Sequence, residues 1–437
     1  MTSYARPGRA PEDQFRLVVL DPAHFHAALL QKQMYQELCA RVSVYAPLGL
    51  DLLDYLGRVW QFNSREEDPT RWKLDVHCSS DPVSEMLQDR GGDIVILAGR
   101  NHHKIERIRK AISAGLHVLA DKPWILSSRE MGTLEDALNE AESRGLVAYD
   151  VMTERDEPTS ELQRVLVNSP EIFGWLEAGS AESPAIVARS VHYIRKLVSG
   201  LPLSRPCSFF NCAEQGHGLA DVGTHVIDLV QWTAFPEQTI DYRTDIQVLD
   251  SRCWPLFLTQ EQFKTVTGEL FPAALAPNIQ GGKLAYHCNN SILYRLRGIY
   301  VKLDILWDWQ APENSGDSYT AMFSGTRARI GIRQGPAERY QPELYVIPAS
   351  AETRAGTFSA LRRKIETLQS RWPGLGLIET TEEAQLAIPQ EFRVGHEAHF
   401  GQVARRFLNY LAGTETMPAW EKPNMLAKYH VSTYGLT

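Results

Sequence analysis

Short apolar runs alternate with helical patterns through the first 150 residues, and this alternation restricts the fold more than any other feature of the sequence. The apolar runs are Phe15–Leu20, Arg41–Tyr45, Lys73–Cys78, Ile94–Ala98, His117–Ala120 and Val147–Val151. Helical patterns lie over His26–Cys39, around Leu50–Leu56, and over His102–Ala114 and Met131–Arg144. Strands that alternate with helices predict right-handed βαβ units and a parallel sheet covered on both faces. We therefore predict a doubly wound, Rossmann-like domain over residues 1–150.

A second domain is expected, because 437 residues exceed what one hydrophobic core usually organises. After Pro158, helical patterns over Ser160–Leu166 and Glu171–Leu176 precede repeated short runs of β-branched and aromatic residues. These runs are Ala185–Val191, Tyr242–Leu249, Lys283–His287, Ser291–Leu296, Ile299–Ile305, Tyr319–Phe323, Ala328–Ile332 and Leu344–Ile347. They predict an α+β domain over residues 151–437 with a large, mostly antiparallel open sheet.

The composition excludes several classes of partner. With 43% hydrophobic and 22% charged residues, the chain is typical of a soluble globular protein. The net charge of −8 argues against a nucleic-acid partner, and no apolar run is long enough to predict a membrane span. The N-terminus resembles a loose leader and not a secretory signal, and the six cysteines have no C-x-x-C spacing. These features predict a cytoplasmic protein without a disulfide framework or a zinc ribbon.

The stretch from Gly216 to Trp232 reads G-H-G-L-A-D-V-G-T-H-V-I-D-L-V-Q-W and carries acid–base groups. Its glycines would let the backbone approach a ligand, and a helical pattern begins near Asp221. Asp221 and His225 are four residues apart, which places them on one face of a helix, and Asp228 would extend that face. An imidazole can exchange a proton near neutral pH while a carboxylate orients it. Pairs at this spacing are also common as structural pairs.

The first strand-to-helix turn is D-P-A-H-F-H, over Asp21–His26, where a dinucleotide site would normally have G-x-G-x-x-G. Ala23 is small enough to keep the backbone close to a ligand, and His24 and His26 could donate hydrogen bonds to phosphate oxygens. Asp21 would repel a phosphate unless it caps backbone amides. A doubly wound sheet that holds some other ligand is the alternative.

Two further strand ends carry polar groups, Asn101 after Ile94–Ala98 and Lys122 after His117–Ala120. Pro123 restricts Lys122 to extended backbone geometry, so we expect the lysine to project from the carboxyl edge of the sheet. We also hypothesise that the Lys122–Pro123 peptide bond is cis. The Lys122 ammonium would stabilise negative charge on a reacting oxygen.

Near the end of the chain, H-E-A-H opens a helical pattern over His396–Leu411. This spacing differs from the H-E-x-x-H of zinc peptidases, so the sequence predicts no metal site. His396 and His399 would border the cleft or cap the helix.

Together these motifs resemble the Gfo/Idh/MocA oxidoreductase family. The resemblance rests on the sheet pattern, Asn101, the D-K-P at 121–123 where the family usually has E-K-P, and the G-H-G-L-A-D-V-G-T-H-V-I-D stretch. Y-D-V-M-T-E-R at 149–155 and S-V-H-Y-I-R-K at 190–196 are similar to the subgroup with the "putative oxidoreductase C-terminal" domain.

The resemblance implies an NAD(P)-dependent enzyme that acts on a hydroxyl-bearing carbon of a sugar, polyol or glycoside. Lys122 would lie between nicotinamide and substrate, Asp221 would bind the reacting hydroxyl, and His225 would exchange the proton. The implied cofactor-binding residues are Asp21, Ala23, His24, Phe25, His26, Asn101 and Lys122. The implied substrate-binding residues are Lys122, Arg155, His192, Lys196, His217, Asp221 and His225. Homo-oligomerisation through the C-terminal sheet is also implied.

The cofactor and the net reaction stay open at this point. The position of the usual ribose-binding acid falls near Tyr45–Pro47, and Asp51 is the nearest acid, so both NAD, which we favour, and NADP are considered. One alternative is transient oxidation of a glycoside followed by elimination, which cleaves the glycosidic bond without net redox change. Another is a ligand-sensing protein without activity, against which the presence of Lys122, Asp221 and His225 argues.

Overall fold

The computed structural model describes residues 14–198, 201–313 and 315–434, and its contacts divide the chain into two compact units. The first unit contains the described residues up to Ile125, Arg129–Thr153 and His396–Met417. The second contains Leu126–Ser128, Glu154–Gly395 and the described residues from Pro418 onward. The N-terminal leader expected from the sequence lies outside the described residues. Within these residues, no helix combines the length and apolar character needed to cross a membrane.

The first unit is built on a six-stranded parallel sheet with the order β3-β2-β1-β4-β5-β6 among the described residues, which confirms the predicted doubly wound fold. Its strands are β1 (Phe15–Leu20), β2 (Leu38–Ala46), β3 (Lys73–Cys78), β4 (Ile94–Leu97), β5 (His117–Ala120) and β6 (Ala148–Asp150). Its helices up to Thr153 are α1 (His26–Leu29), α2 (Leu50–Ser64), α3 (Pro82–Asp89), α4 (Lys104–Ser113) and α5 (Met131–Ser143). All four residues of β4 are buried, as expected for a central strand covered on both faces.

The prediction of a helix over His26–Cys39 is wrong beyond Lys32. Helix α1 continues only as a 3-10 turn over Leu30–Lys32, and Gln33 is extended, with φ −139° and ψ 164°. Leu38 is paired with Phe15 at the start of the sheet, so the chain has to leave the helix before this residue. Local periodicity carries no information about this pairing.

The second unit contains a ten-stranded mixed sheet among the described residues, with the path β10-β12-β13-β7-β14-β15-β16-β18-β17 and β11 paired to β12. The strands of this unit are β7 (Ile186–Arg195), β8 (Leu197–Val198), β9 (Leu201–Pro202), β10 (Ile246–Leu258), β11 (Ile279–Gln280), β12 (Lys283–Leu296), β13 (Ile299–Gln310), β14 (Ser318–Ser324), β15 (Ala328–Gln334), β16 (Glu343–Pro348), β17 (Gly376–Glu379) and β18 (Ala384–Ala387). Its first helices are α6 (Pro158–Val167), α7 (Pro170–Phe173), α8 (Cys212–Gln215), α9 (Gly218–Asp221), α10 (Gly223–Ala234), α11 (Gln260–Thr267) and α12 (Ala351–Leu368). Strands β7 and β13 pair in parallel and the other pairs are antiparallel, so the predicted mostly antiparallel sheet is confirmed.

The two strands expected over Lys283–His287 and Ser291–Leu296 form the single strand β12. Two asparagines interrupt the apolar pattern between them, but both side chains are bonded and buried. The side-chain oxygen of Asn289 accepts from the Trp307 amide at 2.8 Å, and that of Asn290 accepts from the Leu219 amide at 2.8 Å. The two asparagines inside this strand therefore accept hydrogen bonds from backbone amides of neighbouring elements.

Residues 396–417 pack in the first unit, whereas the sequence expectation placed everything after residue 150 in one domain. They form helix α13 (His396–Leu411), and α14 (Glu421–Thr433) follows in the second unit. The apolar residues of α13 follow helical spacing and join the core cluster that also holds β1 and β2. They are Phe400, Val403, Ala404, Phe407 and Leu408.

Candidate functional site

The turn after β1 is tied to the loop after β4 by backbone contacts. Asp21 has a left-handed φ of 49°, and its carbonyl accepts from the Ala23 amide at 2.9 Å. The His24 amide donates to the Ala98 carbonyl at 2.8 Å. A Cβ on Gly99 would lie 2.2 Å from the Asp21 carbonyl oxygen, so the close approach requires glycine here. These amides bond within the protein, unlike the phosphate-facing amides of a glycine-rich turn.

The charge of Asp21 is offset by a partner that the sequence analysis missed. Its carboxylate forms an ion pair with Arg107 on helix α4 at 2.7 Å, in place of the amide capping considered above. A neutralised carboxylate removes much of the repulsion expected for a nearby phosphate. Phe25 is half-buried, with its ring 4.5 Å from the rings of both His24 and His26.

His24 and His26 converge on Asp121, directly after β5. Nδ1 of His24 lies 2.9 Å from one Asp121 carboxylate oxygen, and Nδ1 of His26 lies 3.1 Å from the other. Burial lowers the pKa of His26 to about 4. Burial opposes ionisation of the Asp121 carboxyl, but the two imidazoles outweigh it and hold its pKa well below the usual range. The His26 side chain is buried, whereas His24 keeps 42% of its side chain exposed.

The carboxyl ends of β4 and β5 are joined by a buried lysine. Lys104 Nζ donates to the Asn101 side-chain oxygen at 2.6 Å and to the Asp121 carbonyl at 3.0 Å. Both Asn101 and Lys104 are buried, so the amide of Asn101 is held by the protein itself. The half-buried Lys122 follows, and its peptide bond to Pro123 is cis, which confirms that hypothesis. The spacing of three residues between Asn101 and Lys104 is the sequence signal that could have predicted their hydrogen bond.

The predicted helical stretch in the second unit is present as α9 and α10, with Val222 in helical geometry between them. Asp221 and His225 are half-buried, whereas Val226 and Val230 are buried in the core. The apolar residues thus fix the stretch against the core and leave the side chains of Asp221 and His225 partly exposed, with Nδ1 of His225 buried.

The glycines of this stretch were expected to let a ligand approach the backbone closely. At Gly218 the group that approaches is strand β12 of the protein itself. A Cβ on Gly218 would lie 2.0 Å from the Cys288 carbonyl oxygen. The adjacent Leu219 amide donates to Asn290 on the same strand. Gly218 therefore positions α9 by packing.

Replacing Gly218 with alanine should destabilise the second unit by about 1–3 kcal/mol, because backbone atoms must move to make room. The matched control is Gly132→Ala, where a Cβ would meet nothing within 4 Å of its helical position. That change should be neutral or stabilise by up to about 1 kcal/mol. Urea unfolding of both variants measures the difference, and equal effects would contradict the packing role.

Arg155 and Asp228 lie in a buried ion-pair network. The Arg155 guanidinium donates twice to the Asp228 carboxylate, at 2.6 and 2.7 Å, and once to Glu421 at 2.7 Å. Lys428 Nζ reaches Asp228 at 3.2 Å. Asp228 was expected to extend the face of Asp221 and His225, and its buried carboxylate is bonded in this network. The predicted substrate residue Arg155 is bonded in the same place.

Two other predicted substrate residues, His192 and Lys196, meet at Asp317. His192 Nδ1 lies 2.9 Å from the Asp317 carboxylate, its Nε2 lies 2.7 Å from Ser190 Oγ, and Lys196 forms an ion pair with Asp317. Burial opposes ionisation of Asp317, but His192 and Lys196 lower its pKa to about 2. The His192 ring lies 4.9 Å from the Trp307 ring. Asp317 precedes β14 in a polar segment without a motif, so the sequence offered no signal for it.

His217 and Arg205 complete the polar groups near this sheet. His217 donates through Nδ1 to the His287 carbonyl at 3.0 Å, and burial lowers its pKa. The Arg205 guanidinium lies 4.3 Å from the Phe209 ring and 5.3 Å from the Trp307 ring. Burial lowers the pKa of Arg205, while the charges of Asp317 and Asp221 act in the opposite direction. Arg205 was missed because Trp307 and Asp317 are distant from it in the sequence.

Comparisons with known proteins place the chain in a family. The family described as "Oxidoreductase family, NAD-binding Rossmann fold" matches residues 56–149, and "Putative oxidoreductase C terminal domain" matches residues 162–437. The structure of an oxidoreductase from Parabacteroides merdae ATCC 43184, itself described as putative, is similar at 41% identity over 96% of both chains, with a TM-score of 0.93. None of the curated proteins matches the sequence.

More distant solved structures share the fold. GenD2 from gentamicin A biosynthesis, solved in complex with NAD, is 14% identical over 99% of this chain and 96% of its own, with a TM-score of 0.56. KijD10, a 3-ketoreductase from Actinomadura kijaniata solved with TDP-benzene and NADP, is 13% identical over 97% and 98%, also with a TM-score of 0.56. The family resemblance and the oxidoreductase class predicted from the motifs are confirmed. This chain belongs to the Gfo/Idh/MocA oxidoreductase family, in the group defined by that C-terminal domain.

Proposed function

We propose that this protein transfers a hydride between a nicotinamide cofactor and a hydroxyl-bearing carbon of a sugar, polyol or glycoside. The observation that carries the proposal is the position of Lys122, two residues after the end of β5 in a sheet of order β3-β2-β1-β4-β5-β6. Ligands of such sheets bind beyond the carboxyl ends of the strands. The fold that the chain shares with KijD10, a 3-ketoreductase, is consistent with a redox reaction.

The first unit has groups that fit a dinucleotide. A groove beside the first turn is lined by the turn residues Ala23, His24 and Phe25 and by Asp51 and Arg58 of helix α2. An acid near the adenosine ribose binds its hydroxyls in NAD sites, whereas an arginine accommodates the additional phosphate of NADP. Asp51 lies in the first turn of α2, which supports NAD, although Arg100 lies 3.3 Å from it. Bound nicotinamide would supply the hydride acceptor or donor.

The protein's own side chains would handle the proton and the charge. We assign His225 as the group that takes and returns the hydroxyl proton, Asp221 as its orienting partner, and Lys122 as the cation that stabilises charge on the reacting oxygen. Lys196 forms an ion pair with Asp317, and its ammonium has three N–H donors, which suit substrate hydroxyls. Both ring nitrogens of His192 are engaged by Asp317 and Ser190, so His192 would hold Asp317 in place. The adjacent Trp307 ring presents an apolar surface of the kind that packs on a sugar ring.

Purified protein should bind a nicotinamide nucleotide and reduce it when a carbohydrate substrate is supplied. Mass spectrometry of the denatured protein identifies a retained nucleotide, and calorimetry with NAD⁺ and NADP⁺ measures binding to the emptied protein. A panel of sugars, polyols and aryl glycosides is then assayed for NADH fluorescence and for released aglycone. Aglycone released without accumulation of NADH would identify the redox-neutral cleavage. Binding without any turnover would favour a sensor, and failure to bind either nucleotide would contradict the proposal.

A further inference from the structure

Three potential metal ligands from distant parts of the sequence meet at the carboxyl edge of the first sheet. His24, His26 and Asp121 each offer a ligand atom, and these atoms all lie within 4.8 Å of one another. The two imidazole-to-carboxylate distances are 2.9 and 3.1 Å. Tetrahedral ligands of one cation, with bonds of about 2.0–2.2 Å, lie about 3.3–3.6 Å apart. The two distances are a few tenths of an ångström shorter, so small movements of these side chains would accommodate a shared ion.

Two of these atoms are buried and have no hydrogen-bond partner. They are Nδ1 of His26 and one carboxylate oxygen of Asp121, on residues that are 4% and 5% exposed. The atoms face each other at 3.1 Å without the alignment of a hydrogen bond. Buried polar atoms in proteins are nearly always satisfied, and a cation between these two would satisfy both.

The surroundings of His26 and Asp121 match the outer shell of a metal site. Nε2 of His26 lies 2.7 Å from Nε2 of His396, whose Nδ1 lies 3.4 Å from the Thr153 hydroxyl. A histidine that binds metal through one ring nitrogen usually donates its other N–H to such a partner. The Asp121 backbone carbonyl accepts from Lys104, which holds the backbone of this residue in place.

We propose that His24, His26 and Asp121 bind one divalent first-row transition-metal ion of the zinc class. Two imidazoles and one carboxylate are a ligand set that such ions take, with at least one position left open. An anionic oxygen, such as that of a phosphate, would suit the open position. Sequence spacing gives no signal for this site, because Asp121 is distant from His24 and His26 in the chain. The inference is independent of the proposed function, because metal binding is measured without turnover.

The test uses the full-length protein after treatment with a chelator. Zn²⁺ binding is measured by competition with a chromophoric chelator, metal content by elemental mass spectrometry, and the ligand field by Co²⁺ absorbance. We expect one equivalent of Zn²⁺, with affinity lowered at least about 100-fold in His24→Ala and Asp121→Asn. His24 is partly exposed, so its variant should keep the wild-type circular dichroism spectrum.

The matched control is His77→Ala. His77, Glu85 and Asp89 form another group of three possible ligands, but they are not buried and their contacts are longer, at 3.5 and 3.7 Å. This variant should bind Zn²⁺ like the wild type. The proposal is overturned if the wild type binds no Zn²⁺ tightly, if folded His24→Ala binds it equally well, or if His77→Ala removes the bound ion.

Discussion

Replacing His225 with alanine should lower kcat by about 10²–10⁴-fold, the usual contribution of a positioned general acid–base group. The imidazole is half-buried on the helical stretch, while its helix neighbours Val226 and Val230 anchor the backbone in the core. Its removal should therefore leave the fold intact. Affinity for the nicotinamide nucleotide should change little, because the residues assigned to that nucleotide lie in the first unit.

The control for this variant is His430→Ala. His430 is also a half-buried imidazole of the second unit, and its ring packs 5.1 Å from Tyr242. Steady-state kinetics and nucleotide titrations are compared for both variants. A fall in kcat confined to His225→Ala is expected, with kcat for His430→Ala near the wild-type value. Undiminished turnover in His225→Ala would show that the proton is carried by another group.

Replacing Asp228 with asparagine should lower the free energy of unfolding by about 3–5 kcal/mol, because it leaves buried positive charge without its counter-charge. The carboxylate receives two hydrogen bonds from Arg155 and one from Lys428, and all three residues are buried. The exposed pair between Asp54 and Arg58, at 3.3 Å, provides the control. Asp54→Asn should cost no more than about 1 kcal/mol.

The destabilisation in Asp228→Asn should depend on pH in a defined direction. Burial opposes ionisation of Asp228, but Arg155 and Lys428 outweigh it and hold its pKa well below the usual range. A carboxyl whose pKa is depressed by folding stabilises the protein above its unfolded pKa of about 4, and this contribution is lost as the pH falls toward the folded pKa. Urea unfolding should show the full gap between wild type and variant near neutral pH and a narrower gap below about pH 4. A constant gap would contradict this assignment.

The fold was largely predictable where local pattern and tertiary structure agree. Strands β3 and β5 and helix α13 have the bounds expected from their apolar patterns. The errors arose where long-range pairing decides the structure. Leu38 leaves the helical pattern because it pairs with Phe15, and the Asn289–Asn290 step stays in one strand because both side chains bond to neighbouring backbone.

The motifs of the candidate site stand out in the sequence, but the side chains that contact the residues of these motifs do not. Lys122, Asp221 and His225 stood out because their spacing and neighbours carry chemical meaning. The ion pair of Asp21 with Arg107 and the contact of His26 with His396 join residues that are far apart in the chain. Arg155, a charged residue in a recognised motif, is bonded to Asp228 and Glu421, which are also far from it in the chain.

Helix α13 has a consequence for how the chain is made. Its Phe400 and Phe407 belong to the hydrophobic cluster that includes β1 and β2, yet about 350 residues of chain separate them from β2. The apolar surface of the nascent first unit is therefore not fully covered until α13 has been synthesised. A fragment cut after Asp150 would expose that surface and would be prone to aggregate.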